Sequence, residues 1–208
     1  MENLGRAFTF VFEDKAWPGK VILGGVFVLL SILLIGIPFV VGYILEVARR
    51  SYEGNEIPLP EWDNMGEKFT QGLIFLVIIL IYAIPFILFS TLRCLGPFFD
   101  FVYGIAFALA MPYLMMKFAL TRDFNSAFQF NEMIDFIQKN IGDIIIVVLI
   151  AIGMQIIASF GVILIVIGWF FTIFWAYLGE AYLFGKLYRK AETPVVVETV
   201  EPGESPQE

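Results

Sequence analysis

VILGGVFVLLSILLIGIPFVVGYILEVA, residues 21–48, is the stretch whose reading decides the fold. A helix that crosses a ~30 Å hydrocarbon core needs about 20 apolar residues. The block is therefore too long for one upright span and too short for two full ones. Gly36-Ile37-Pro38 lies near its middle, where proline removes a backbone donor and breaks or kinks a helix. Two readings follow: one tilted, kinked span, or a hairpin of two short helices that enters the bilayer and returns. Charge distribution decides between them, because short cytoplasmic loops collect Lys and Arg. With one span, Arg6, Lys15, Lys20 and Arg93 share a side and the other nine basic residues face them. With a hairpin, twelve of the thirteen fall together and only Arg93 lies opposite. The hairpin is the expectation, with both termini cytoplasmic.

Outward from this block the chain stays apolar. Of 208 residues, 59% are hydrophobic and 16% charged, and mean hydropathy is +0.83, well above the 45–50% apolar usage typical of soluble domains. Gly72–Thr91 and Phe98–Phe118 are each one span long, and Ile144–Tyr188 has room for two, with a turn near Ser159-Phe160-Gly161. Leu4, Ala7, Phe8, Val11 and Phe12 recur at helical spacing opposite Glu2, Arg6 and Glu13. Ala127, Phe130, Ile134, Ile137 and Ile141 do the same after an N-cap expected at Ser126. Both patterns describe amphipathic helices lying in the headgroup region. The expected fold class is all-α integral membrane: a helical bundle of four full spans, a short N-terminal membrane hairpin and two interfacial amphipathic helices. Residues 1–190 form the membrane domain. Residues 191–208 read as a disordered acidic tail, with five glutamates and no base. No cleavable signal peptide is expected, since Glu13, Asp14 and Lys15 precede the first apolar block.

Composition also narrows the chemistry. Histidine is absent and Cys94 is the single cysteine, which removes Ser-His-Asp and Cys-His catalysis and histidine-based zinc sites. No Gly-rich loop ending in Gly-Lys-Ser/Thr is present to cradle phosphates, and no basic patch with interleaved aromatics suits nucleic acid. The protein is expected to be no enzyme and to carry no cofactor or metal. Its expected partners are the lipid bilayer and a membrane-protein partner or a second copy of itself.

Ionisable groups within apolar helices are costly and need an account. Glu46 is followed at three and four residues by Arg49 and Arg50, the favourable order for an intrahelical pair. Glu180 has no base at such spacing; its candidate partners are Tyr177 or, if the two halves of the chain pack together, Arg49 and Arg50. A faint repeat links the two acids. Ala7-Phe8-Thr9-Phe10 precedes Tyr43-x-x-Glu46 much as Ala127-Phe128-Gln129-Phe130 precedes Tyr177-x-x-Glu180. Tyr43, Glu46, Arg49, Arg50, Tyr177 and Glu180 are thus the candidate intramembrane polar site. Gln155 is placed to bond a neighbouring helix. Between the first two blocks, Pro58 and Pro60 stiffen an interfacial loop, Leu59-Pro60-Glu61-Trp62, whose tryptophan suits headgroup depth.

Gly42-Tyr43, Glu46, Arg49, Gly54, Leu59-Pro60-Glu61-Trp62-Asp63 and Gly72 together resemble a prokaryotic family of multi-pass membrane proteins catalogued as a domain of unknown function. The resemblance covers most of residues 5–190 and implies a bacterial or archaeal cytoplasmic membrane, with no activity to carry over. The functional expectation is a non-enzymatic accessory or scaffold protein of that membrane. The alternative is a small transporter or channel subunit that uses an intramembrane carboxylate.

Overall fold

The computed structural model of the chain describes residues 4–91, 95–160 and 165–192. Arg93, Cys94, the turn after Phe160 and the expected disordered tail beyond Glu192 lie outside the described residues. The protein is an all-α membrane bundle, and every described element is helical.

Helix α1 (Arg6–Glu13) buries Ala7, Phe10 and Val11. Its inward face is rotated from the predicted one: Phe12 is exposed and Phe10 is buried, stacked on Tyr182 at 4.7 Å. The Asp14 carboxylate then accepts from the Ala16 amide at 2.8 Å, and the chain bends by 110° into α2 (Trp17–Leu30), whose first turn tolerates Pro18 because its amide would have no intrahelical acceptor.

The first apolar block is a hairpin. A 3-10 turn (Ser31–Leu33) and Leu34, at φ +64°, end α2, and α3 runs from Gly36 to Glu53. Pro38 therefore opens a helix instead of kinking one, since in the first turn proline forfeits no intrahelical bond. A Cβ at Gly36 would sit 1.9 Å from the Phe27 carbonyl oxygen, so only glycine lets the two arms meet there. Ile32, Leu33, Leu34 and Ile35 form the tip and are 61–72% exposed, an uncharged apolar end. At the other end Lys20 and the post-α3 loop meet: Trp62 Nε1 donates to the Lys20 carbonyl at 2.9 Å.

Helices α4 (Met65–Ser90) and α5 (Gly96–Thr121) each begin before their apolar blocks, and they contain Pro85 and Pro112. A 3-10 turn, Phe124–Phe128, follows. Asp123, and not Ser126, caps it by accepting from the Asn125 amide at 3.0 Å. Helix α6 (Phe130–Ser159) is two segments joined at Asn140, whose φ of −121° and ψ of 16° interrupt the helix. The first segment is the second amphipathic helix, with Phe130 and Ile134 exposed; the second is the apolar one. Helix α7 (Ile165–Glu192) is the central element, touching α1, α2, α3, α5 and α6. Among the described residues, α4, α5 and α6 are long and apolar enough to cross a membrane, and α1 with α2 would count as a fourth if that bent pair were one span.

Small residues let the bundle close. Cβ atoms at Gly24 and Gly25 would strike Phe174 and Phe171 of α7, and one at Gly185 would strike the Ala48 carbonyl of α3. The proposed repeat is not mirrored in local structure: Ala7–Phe10 lies in an α-helix, whereas Ala127 and Phe128 lie in the 3-10 turn.

Candidate functional site

One end of the bundle is polar. It gathers the start of α2, the end of α3 with its loop, the start of α4, the end of α5, the start of α6 and the end of α7. Ion pairs tie these segments together, including Lys20 to Asp14 and Glu61, both at 2.6 Å, Arg122 to Glu67, and Lys190 to Asp143 at 2.5 Å.

A cleft of about 260 Å³ opens here between α3, α4 and α5. Lys68 lies at its base with a side chain only 4% exposed, and its Nζ reaches Glu46 Oε2 at 2.9 Å, Asp63 Oδ1 at 3.0 Å and the Asp63 carbonyl at 2.8 Å. The other Glu46 oxygen takes the Arg50 guanidinium at 2.8 Å. A buried ammonium is tolerable only when charge and hydrogen bonds surround it in this way. Arg49, Glu67, Gln71 and Arg122 complete the polar wall, over a floor that includes Phe118 and Ala119. Arg49 Nε is 3.4 Å from Glu53 Oε1, close enough for Coulomb attraction but not aligned as a hydrogen bond. Gln71 Oε1 is likewise buried without a hydrogen-bond partner among the described residues.

The hydrogen bond from Lys68 holds the Asp63 carboxyl below the usual carboxylate range. A depressed carboxyl pKa stabilises the fold above its unfolded value and loses that contribution as pH falls through the folded one. Asp63→Asn is therefore expected to lower the melting temperature at pH 7, with the gap to wild type closing below about pH 4. Melting curves across a pH series check this; a gap that is constant with pH would contradict it.

Tyr43 is fully buried, and its hydroxyl donates to the Pro60 carbonyl at 2.8 Å. Leu59 is buried, Glu61 pairs with Lys20, and Trp62 turns into the protein. The loop staples the two hairpin arms and α4 as expected, but its tryptophan packs on protein rings where a headgroup anchor was anticipated. The cause is local: Phe27 and Tyr43 present ring faces to the indole, with Phe174 beside it, and the Lys20 carbonyl accepts from its Nε1.

Glu180 is elsewhere. It accepts from Gln155 Nε2 of α6 at 2.5 Å, so the anticipated pairing with Arg49 or Arg50 does not form. Ser51 Oγ donates to the Tyr182 carbonyl at 2.9 Å and Gly185 abuts Ala48. That contact sets the rotation of α3 so that Arg49 and Arg50 face the cleft instead of α7. Glu180 and Tyr177 both line a cavity of about 580 Å³ between the hairpin, α5 and α7, whose wall is otherwise nearly all apolar. Glu180 and Gln155 also border a second hollow against α5 and α6. Glu46 and Glu180 thus belong to separate sites. Lys68, Gln71 and Arg122 escaped the sequence reading, although Glu67, Lys68 and Gln71 at helical spacing were a usable signal of a polar helix face.

Among the described residues no group of three or more carboxylate or thiol side chains is placed to hold a metal ion. The family described as "Protein of unknown function (DUF4013)" matches residues 25–167. The chain belongs to this family. The match takes in most of the hairpin, the stapling loop, α4 to α6 and every residue of the cleft; Glu180 lies beyond its end. No curated protein and no solved structure matches the chain.

Proposed function

We propose that this DUF4013 protein is a non-enzymatic, multi-pass protein of the cytoplasmic membrane of a prokaryote, with both termini on the inner face. In this reading it is a small carrier that accepts an apolar guest bearing a basic nitrogen or hydroxyl group. The observation behind it is Glu180 in the wall of the apolar cavity of about 580 Å³. Cavities of roughly 300–1,000 Å³ suit drug-sized guests, with a few polar groups fixing orientation. A scaffold needs no such hollow, and an acid inside the membrane is costly unless something uses it.

Ethidium, a planar cation with amino donors, is a direct probe. Fluorescence anisotropy in detergent is expected to show binding to wild type and about tenfold weaker binding to Glu180→Gln, the loss of one charge-assisted hydrogen bond. Circular dichroism melting confirms that the variant is folded. Ala181→Trp, which fills the cavity, is expected to abolish binding. Unchanged affinity in both folded variants would overturn the reading.

A further inference from the structure

The cavity that contains Glu180 is long and closed at one end. On α7, Trp169, Ile173, Tyr177, Glu180 and Phe184 line it at intervals of three and four residues. At about 1.5 Å per residue this stripe runs for roughly 22 Å. Glu180 lies roughly 6 Å from its Phe184 end and roughly 16 Å from Trp169. Around the Phe184 end the wall is buried, through Leu45, Phe75, Met115 and Ala181. At the other end Ile32 and Trp169 are exposed. The hollow is therefore a slot, with its acid near the closed end and a mainly apolar wall from there to the mouth.

The carboxylate in this slot lacks a cation. Gln155 of α6 donates to one of its oxygens, and among the described residues no lysine or arginine pairs with it. A carboxylate in an apolar wall is costly without an opposite charge. We infer that the guest is a single-chain aliphatic amine, whose ammonium meets Glu180 near the closed end and whose chain lies along α7 towards Trp169. The inference rests on the carrier reading and narrows it. A compact guest would satisfy Glu180 and leave the run to Trp169 empty, and walls that face a void forfeit their dispersion contacts. A second charge along the chain would find no partner, since among the described residues no other charged side chain lines the slot.

Native mass spectrometry of the full chain, released from a sterol-based detergent that brings no alkyl chain of its own, tests this class. Dodecylamine is expected to be retained about tenfold more than dodecanol, which has the same chain and an uncharged head, as for one charge-assisted contact. It is also expected to exceed butylamine, the same head on a chain too short to reach Trp169, by about tenfold or more. Dodecylamine retained no better than either probe overturns the proposal. Glu180→Gln is expected to erase the preference for the amine over the alcohol; a preference that persists overturns it. Ile173→Trp narrows the slot roughly 10 Å from Glu180 and is expected to cut dodecylamine retention about tenfold. Ile37→Trp, on the facing α3, makes the same test should the first tryptophan prevent folding, which melting reports. Val77→Trp, at an exposed position of α4 outside the slot, is the control and is expected to match wild type. Wild-type retention by a folded slot variant places the chain elsewhere and overturns the proposal. Ethidium separates the two readings. Ethidium binding without dodecylamine retention leaves the carrier standing and overturns the amine class, whereas failure of both overturns the carrier as well.

Discussion

Replacing Gly42 and Gly72 with alanine, singly and together, is expected to destabilise the bundle by forcing α3 and α4 apart. A Cβ at Gly42 would lie 1.9 Å from the Lys68 carbonyl oxygen, and one at Gly72 would lie 1.8 Å from the Pro38 carbonyl oxygen. The obstacles are backbone atoms, so no side-chain rotation can relieve the clash, and α3 must move off α4. Overpacking of a tight contact costs about 1–3 kcal/mol per site, so the pair is expected to lose on the order of 4 kcal/mol, a fall of roughly 10 °C in a chain of this size. The shift would also open the cleft, since Lys68 meets Glu46 across this same crossing. Gly153→Ala is the control. No atom lies within 4 Å of its Cβ position, so relief of glycine's helix penalty is expected to leave melting unchanged or raised by about 0.5 kcal/mol. Circular dichroism melting in detergent reads all four variants. Wild-type melting of the Gly42, Gly72 double variant would mean that α3 and α4 do not cross in this way.

That crossing shows where sequence reasoning ends. The hairpin was legible because it is written in charge placement and in Gly36-Ile37-Pro38, features that need no three-dimensional partner. The start of α4 was not. Met65 to Gln71 looks like a polar connector by residue type, yet it is helical because Lys68 finds Glu46 and Asp63. Hydropathy counts what a residue is and carries no information on where it points. The same gap misdirected the search around Glu180. Spacing put Arg49, Arg50 and Glu180 near helix exits, but the rotation of α3 on α7 is set by Ser51 and Gly185, small residues that no charge pattern reveals. Gln155 was recognisable as an interhelical donor; its partner, 25 positions away on the next helix, was not.

Trp62→Ala is expected to be the most damaging single side-chain truncation in the stapling loop. The indole stacks on Tyr43 at 4.2 Å and on Phe27 at 4.9 Å, with Phe174 of α7 at 6.0 Å. Its Nε1 donates to the Lys20 carbonyl at 2.9 Å. One ring thereby joins α2, α3, α7 and the loop. Truncating a packed tryptophan costs about 3–5 kcal/mol through lost burial and the cavity left behind. Trp62→Phe keeps most of the stack and loses the hydrogen bond, so it is expected to cost about 1 kcal/mol. The graded order, wild type above phenylalanine above alanine, separates the buried staple from a headgroup anchor. An anchor in the headgroups exchanges one wet aromatic for another, and its removal leaves internal packing intact. Near-ultraviolet circular dichroism supplies the second reading, because the Tyr43 stack gives the ring a fixed chiral setting that the alanine variant destroys. Brominated lipids placed at headgroup depth are expected to leave the Trp62 contribution to fluorescence, taken as wild type minus Trp62→Phe, unquenched. Strong quenching, with melting unaffected by alanine, would return this residue to the membrane surface and leave the base of the hairpin to be held by Lys20 with Asp14 and Glu61 and by the Tyr43 hydroxyl on the Pro60 carbonyl.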